Sequence, residues 1–192
     1  MILADWEIKK AIKDGRLIIK PFPEDSQYAP SAVDLRLGDL LFEWREDLVR
    51  KKGIEVTIDL IHLHFPDIRS YFNQIVLKEG EEYILKPNKF ILASTYEKIG
   101  FPLEGQLAGR VEGRSSLARL GITAHITAPT IHCGFGGKEG RIITLEIVNL
   151  GPFSVKLLPR KTVICQLIVE QVSGKPQREL ISPFATQRTP VG

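Results

Sequence analysis

Cysteine is scarce in this chain: Cys133 and Cys165 are the only two among 192 residues. So few thiols exclude a disulfide framework, leave at most a single bridge, and make a reducing cytoplasm the simpler setting. Long apolar runs are missing as well. The opening MILADWEIKK meets an aspartate at its fifth position, so it has neither the apolar core of a signal peptide nor the length of a membrane span. A large charge of one sign is also lacking. The 26 Lys and Arg against 23 Asp and Glu leave a net charge of +3, and the isoelectric point lies near 8.8. That balance is compatible with binding an anion. Without a basic tract interleaved with aromatics, it gives no footing to a DNA or RNA polymer. Nor do the four histidines and two cysteines offer three or four convergent ligands at zinc spacing. The His62/His64 pair and the His132–Cys133 dipeptide are where a metal would find two donors close together.

What the chain does have is an apolar share of 43%, enough for one sizeable core, in a length that argues against a second complete domain. Asp5 is placed to cap a short helix with Ile8, Ala11 and Ile12 on its buried face and Gly15 at its end. Beyond it, runs rich in Val, Ile, Leu and Thr dominate. RLIIK (16–20), SAVDLRL (31–37), QIVLKE (74–79), EYILK (82–86) and KFILAST (89–95) read as strands. So do QLAGRV (106–111), RIITLEIVN (141–149), FSVKLL (153–158) and TVICQLIVE (162–170). Most are bounded by Gly, Pro, Asn or Asp. Many short strands with few helices predict a mainly β fold of the sandwich, barrel or jelly-roll kind. Residues 47–73 fit no clean period and read as an insertion. After Glu170 the chain turns polar and Pro-containing, which divides it into one domain, 1–170, and a flexible arm, 171–192.

Two segments carry chemistry. The first is GRSSLARLG (113–121), a hydroxyl pair between two arginines at the start of a predicted short helix. Free N–H groups and the helix dipole favour an anion at such an end, and Ser115 or Ser116 can cap it. Arg119, one helical turn after Ser115, shares its face and offers a bidentate grip on phosphate oxygens. The alternative is an N-capped surface helix with solvated charges. The second segment is RIITLEIVN, whose apolar residues on both faces predict a strand buried on both sides. Alternation sets Ile142, Thr144, Glu146 and Val148 on one face and Ile143, Leu145 and Ile147 on the other. A carboxylate in such a strand is costly unless paired or protonated. Desolvation would raise the pKa of Glu146 towards the range of a proton shuttle. The competing reading is an ion pair with Arg110, Arg119 or Arg141.

Taken together these features resemble the dCTP deaminase branch of the dUTPase-like superfamily, with similarity spread over most of the chain. DWEIKKAIKDGRLIIKPF is similar to the family's opening helix and strand. APSAVDLRLGD (29–39) resembles its first block, in which Asp34 and Arg36 read as structural. GRSSLARLG is the most specific match, TLEIVN (144–149) carries the glutamate typical of the deaminases, and LLPRKTVICQLIVE (157–170) ends a strand with Gln166. PFATQRTP (183–190) resembles the C-terminal lid. The resemblance implies a distorted jelly-roll, β-clip-like dUTPase-type fold with a short N-terminal helix and a short helix after the GRSS motif. It implies a cytoplasmic homotrimer with active sites shared between subunits, and a magnesium ion held mainly by the substrate triphosphate. The activity implied is zinc-independent deamination of dCTP to dUTP and ammonia, with or without a further step to dUMP and diphosphate, supplying dUMP for thymidylate synthesis. dTTP is the candidate inhibitor.

By motif position Glu146, Arg119 and Ser115 are the expected catalytic residues. Arg114, Ser116, Ala128, His132, Thr144, Gln166, Phe184 and Gln187 are expected to bind substrate. Glu146 would move the proton from water towards ammonia, Ser115 and Arg119 would hold the water and stabilise charge, and the Ala128 carbonyl would help position that water. The four histidines lack the H-x-E signature of zinc deaminases. Three departures stand out. His132 occupies the place of a usual aspartate, GGKEG lengthens the loop before the Glu146 strand, and Pro183 and Phe184 stand where lysine and tyrosine are common. Phe135 has two readings, a wall of the substrate pocket or a core aromatic. The alternatives in activity are a dUTP diphosphatase and a deoxynucleotide-binding regulatory protein without turnover.

Overall fold

A computed structural model describes residues 1–49, 56–180 and 189–191 of the chain. Its first element is helix α1 (Asp5–Lys13), which buries Ile8 and Ala11 with Ile12 partly covered, as the spacing predicts. The cap differs from expectation. Asp5 is already helical and Ala4 is the N-cap, its N–H bonded at 2.8 Å by the Glu7 carboxylate, so the third helical residue does the work assigned to Asp5. Gly15, at φ +70°, ends the helix. The strands that follow are β1 (Ile18–Lys20), β2 (Tyr28–Ala29), β3 (Ala32–Trp44), β4 (Phe72–Val76), β5 (Tyr83–Leu85) and β6 (Phe90–Thr95). Then come β7 (Lys98–Gly100), β8 (Leu107–Gly113), β9 (Thr130–Ile131), β10 (Thr144–Val148), β11 (Val155–Leu157) and β12 (Val163–Gln171). Two further short helices are α2 (Glu46–Val49) and α3 (Ser115–Ala118). The mainly β expectation holds, and each of the nine predicted strand runs overlaps an observed strand.

The long strand β3 organises the sheet. Its first half pairs with β2 and β12, its second with β4 and β6, all antiparallel, within an order β10-β6-β3-β12-β8-β9. The pairing with β6 shifts register between Leu37 and Leu41. Gly38 lies in that gap, where a Cβ would stand 2.3 Å from Ser94 Oγ, so only glycine permits the close crossing. One face of this curled sheet packs the main core, in which Leu35, Leu41, Ile91, Leu145, Ile147 and Leu167 are fully buried.

The other face of the β3–β6 half carries a second, smaller core of Phe42, Ile68, Phe72 and Leu92. It is covered by described residues of the 47–73 segment, Leu63, Ile68 and Tyr71 among them, which include a 3-10 helix, Phe65–Tyr71, ahead of β4. Trp44 stacks on Phe72 with centroids 3.9 Å apart. The chain end joins this core: Val191 is 0% exposed among these aromatics. The arm expected to be free beyond Glu170 therefore docks by its final described residues. An apolar side chain loses less in that pocket than in water.

Candidate functional site

RIITLEIVN does not form the doubly buried strand its composition predicts. Among the described residues β10 is an edge strand, paired with β6 alone along its ladder. Leu145 and Ile147 are fully buried while Thr144, Glu146 and Val148 on the other face are partly open. Glu146 lies directly opposite Leu92, so it shares a face with the smaller core that receives Val191. Along the outer edge of β10 runs the segment from Ile122. Ile122 bridges Asn149, and Thr123 Oγ1 donates to the Glu146 carbonyl at 3.2 Å while accepting the Val148 N–H at 2.9 Å. This strap brings His125 and Ile126 to the carboxylate.

Desolvation pushes the Glu146 carboxyl above its ordinary value of 4.5. Backbone N–H groups of Glu146 and Ile126, and the neighbouring His125, act in the opposite direction. The ion pair offered as an alternative is not formed among the described residues. Among the described residues Arg110 pairs with Glu112 and Glu170, and neither Arg119 nor Arg141 reaches Glu146. The Nδ1 atom of His125 is buried without a hydrogen-bond partner among the described residues. Sequence reasoning passed over Thr123, His125 and Ile126. The only signal was the polar pair in ITAHITA flanking a predicted helix.

Helix α3 begins one residue earlier than a cap at Ser115 requires. Arg114 is the N-cap, in extended backbone and with no capping side chain, and Ser115 is the first helical residue. The short turn nonetheless aligns Ser115 with Arg119, whose N–H donates to the Ser115 carbonyl at 3.1 Å. Ser115, Ser116 and Arg119 are exposed. Arg114 is held differently: Nη1 donates to Asp34 on β3, and Asp34 also accepts Gln166 Nε2 from β12 at 3.2 Å. Asp34, Arg114 and Gln166 are thus brought together, which the sequence did not indicate.

At the far end of α3 the turn fits without slack. Gly121 has φ +80°, and a Cβ on Gly151 would stand 1.9 Å from the Leu120 carbonyl oxygen. The buried side chain of Asn149 ties this turn to β5. Glu146 and the α3 hydroxyls make no direct hydrogen bond among the described residues. Ala128 and His132 are exposed, on either side of β9. Thr144 flanks Glu146 on its face, and Phe135 packs against the main core, the second of its two readings. Phe184 and Gln187 lie outside the described residues.

Other polar features prove structural. Glu97 is 0% exposed and accepts Arg36 N–H at 2.8 Å, Arg36 Nε at 2.7 Å and Gln27 Nε2 at 3.1 Å. It is a more deeply buried carboxylate than Glu146, and no local pattern marks it. His62 and His64 are exposed beside Asp59 and Asp67, and both cysteines are free thiols. Among the described residues no three or more His, Cys, Asp or Glu side chains converge to hold a metal ion. A cavity of about 300 Å³ between Trp44, Tyr71, Phe90 and the 47–73 segment contains none of the predicted site residues. No helix among the described residues is long and apolar enough to cross a membrane.

The sequence profile of the dCTP deaminase-like family matches residues 2–172. The chain belongs to that family. It is 39% identical over 177 residues to the "dCTP deaminase, dUMP-forming" of Methanosphaera stadtmanae, an alignment covering 92% of this chain and 82% of the relative. Its identity to the protein of the same name from Methanobrevibacter smithii is 40% over 172 residues, covering 90% and 81%. The "dCTP deaminase" of Haloarcula marismortui is 38% identical over 161 residues, covering 83% and 75%. Among solved structures, the 2'-deoxycytidine 5'-triphosphate deaminase of Agrobacterium tumefaciens superposes with a TM-score of 0.63 at 18% identity. That superposition covers 88% of this chain and 47% of the other, so this family member spans about half of the Agrobacterium protein and shares its fold. The dUTPase-type fold expected from the motifs is therefore the fold observed.

Proposed function

We propose that this protein is a dCTP deaminase: water adds to C4 of the cytosine ring of magnesium-bound dCTP and ammonia leaves, giving dUTP. The observation that carries the reading is Glu146, the single acidic side chain of an apolar edge strand. Desolvation raises its pKa, and it stands on an open face. A carboxylate so placed takes a proton from water and returns it to the departing amine more readily than an ordinary surface glutamate. In this reading Ser115 and Arg119 hold the water and balance charge at the tetrahedral carbon, and the Ala128 carbonyl positions the water. Arg114 and Ser116 contact the phosphate chain, Thr144, Gln166 and His132 line the base and sugar, and Phe184 and Gln187 belong to a lid. Magnesium arrives with the triphosphate.

A homotrimer with shared sites fits the same geometry. Ser115, Ser116 and Arg119 face solvent rather than Glu146. Beside them Leu120, Leu150 and Phe153 are 47%, 68% and 68% exposed, a patch suited to a second copy of the chain. We place the protein in the cytoplasm, where its free thiols stay reduced, and expect dTTP, which shares the sugar and triphosphate, to inhibit.

A second step, hydrolysis of dUTP to dUMP and diphosphate, is favoured by the names of the two archaeal relatives at 39% and 40% identity. His132 in place of the usual aspartate would then offer an imidazole to the deoxyribose hydroxyl. The test of the deaminase reading is Glu146→Gln, which keeps the shape and removes the base. Titration calorimetry should show dCTP bound as by the wild type, while ammonia release falls by about 10²–10⁴-fold. Near-normal turnover by this variant would sink the mechanism.

A further inference from the structure

Asp34, Gln166 and Glu112 lie directly opposite one another across β3, β12 and β8, so their side chains form one polar row on one face. Within that row both carboxylate oxygens of Asp34 are engaged. Oδ2 accepts from Arg114 Nη1, and Oδ1 accepts from Gln166 Nε2 at 3.2 Å. The backbone under the carboxylate is fixed as well, because the Asp34 carbonyl accepts Gln27 Nε2 at 2.8 Å and Gln27 is held by fully buried Glu97. The Asp34 side chain is 15% exposed and that of Arg114 is 32% exposed. Arg114 precedes the first helical residue of α3, so this contact sets where its guanidinium stands relative to Ser115 and Ser116.

We propose that Asp34 is a positioning residue for the phosphate end of the site: it holds the Arg114 guanidinium in one orientation and fixes the amide of Gln166. This rests on the deaminase reading above and deepens it. A carboxylate only accepts hydrogen bonds, so Gln166 must turn its Nε2 towards Asp34 and present Oε1 on its other side. Gln166 therefore meets the substrate with an acceptor, suited to a hydroxyl or amino group rather than to a phosphate oxygen. Arg114, paired with Asp34, contributes directed donors with little net charge, and Arg119, without an ion-pair partner among the described residues, supplies a cation. The fork geometry of arginine, not its charge alone, is what such a pair preserves.

The experiment is a double-mutant cycle of Asp34→Asn and Arg114→Ala in the full-length chain with magnesium. It is read as KM and kcat for dCTP and as the affinity for inorganic tripolyphosphate. Asp34→Asn should raise KM about tenfold with kcat within about twofold, the scale of one charge-assisted hydrogen bond. On the Arg114→Ala background the same change should add less than about twofold. Equal factors on both backgrounds would make Asp34 merely structural and overturn the proposal. Arg114→Lys gives a second reading that does not depend on the Asp34 variant folding. It keeps the charge and loses the fork, so it should raise KM as far as Arg114→Ala does, and a wild-type KM would overturn the proposal. A wild type that binds tripolyphosphate with a non-additive cycle, yet releases no ammonia from dCTP, would sink the deaminase reading and leave this one standing. Ammonia release with an additive cycle would do the reverse.

Discussion

Replacing Asn149 with alanine should unlock the turn that sets α3 against the Glu146 strand. Asn149 is 0% exposed. Its Nδ2 donates to the carbonyls of Leu85 at 3.0 Å and Phe153 at 2.8 Å, and its Oδ1 accepts the Gly151 N–H at 3.0 Å. At a net worth of about 1 kcal/mol each, the three bonds sum to about 3 kcal/mol, and the orphaned buried carbonyl of Leu85 brings the loss to about 4 kcal/mol. That is a large part of the roughly 5–15 kcal/mol that separates folded from unfolded chains. With a urea m value of about 2 kcal/mol/M, the midpoint should fall by about 1.5–2 M, measured at one fixed protein concentration because assembly contributes to stability. The Leu150 N–H donates to the Gly121 carbonyl at 2.8 Å, so loosening this turn moves the exit of α3, and kcat should fall with stability. A midpoint shift under about 0.5 M with unchanged kcat would refute the claim that this side chain joins the two halves of the site.

Three further outcomes follow from the same geometry. Burial raises the Glu146 pKa above 4.5, so the fold favours the protonated carboxyl. The stability this lends is complete below the unfolded value and is lost as pH rises through the folded one. Glu146→Gln should therefore gain stability relative to wild type as pH rises through that range, and a pH-independent difference between their urea midpoints would contradict the burial argument. Gly151→Ala would set a Cβ 1.9 Å from the Leu120 carbonyl oxygen, and the backbone shift should cost about 1–3 kcal/mol; a wild-type melting curve would show that the turn has room. Val191→Asp would place a charge among Phe42, Ile68, Phe72 and Leu92. It should release the chain end to carboxypeptidase trimming, whereas a trimming rate like the wild type's would mean that this docking does not protect the end.

The strands were legible because their runs of Val, Ile and Leu bear directly on β pairing, whereas β2 and β9, two residues long, are too short to show a period. Glu146 and α3 stood out as local anomalies, a carboxylate in an apolar run and a hydroxyl pair between arginines. The partners of those residues were not legible, because they are set by tertiary register. Asp34 meets Gln166 only because β3 and β12 pair as they do, and His125 reaches Glu146 only because the strap after α3 runs along an edge. That edge was itself misread. RIITLEIVN has the composition of a doubly covered strand, yet its second face stays partly open, and composition does not distinguish a covered face from one awaiting a partner. The burial of Val191 was hidden for a similar reason, since its pocket is assembled from residues far away in the chain, from Phe42 to Leu92.

The most direct test of the central claim is to incubate the purified wild-type protein with magnesium and dCTP, resolve the nucleotides by anion exchange, and assay ammonia alongside. Deamination predicts a uracil nucleotide in amount equal to the ammonia released, as dUTP if the reaction stops there and as dUMP with diphosphate if the second step follows. No ammonia from dCTP would contradict the account. Formation of dUMP from supplied dUTP would then assign the protein as a diphosphatase, and binding without any product would leave Glu146 a structural residue of a nucleotide-binding fold.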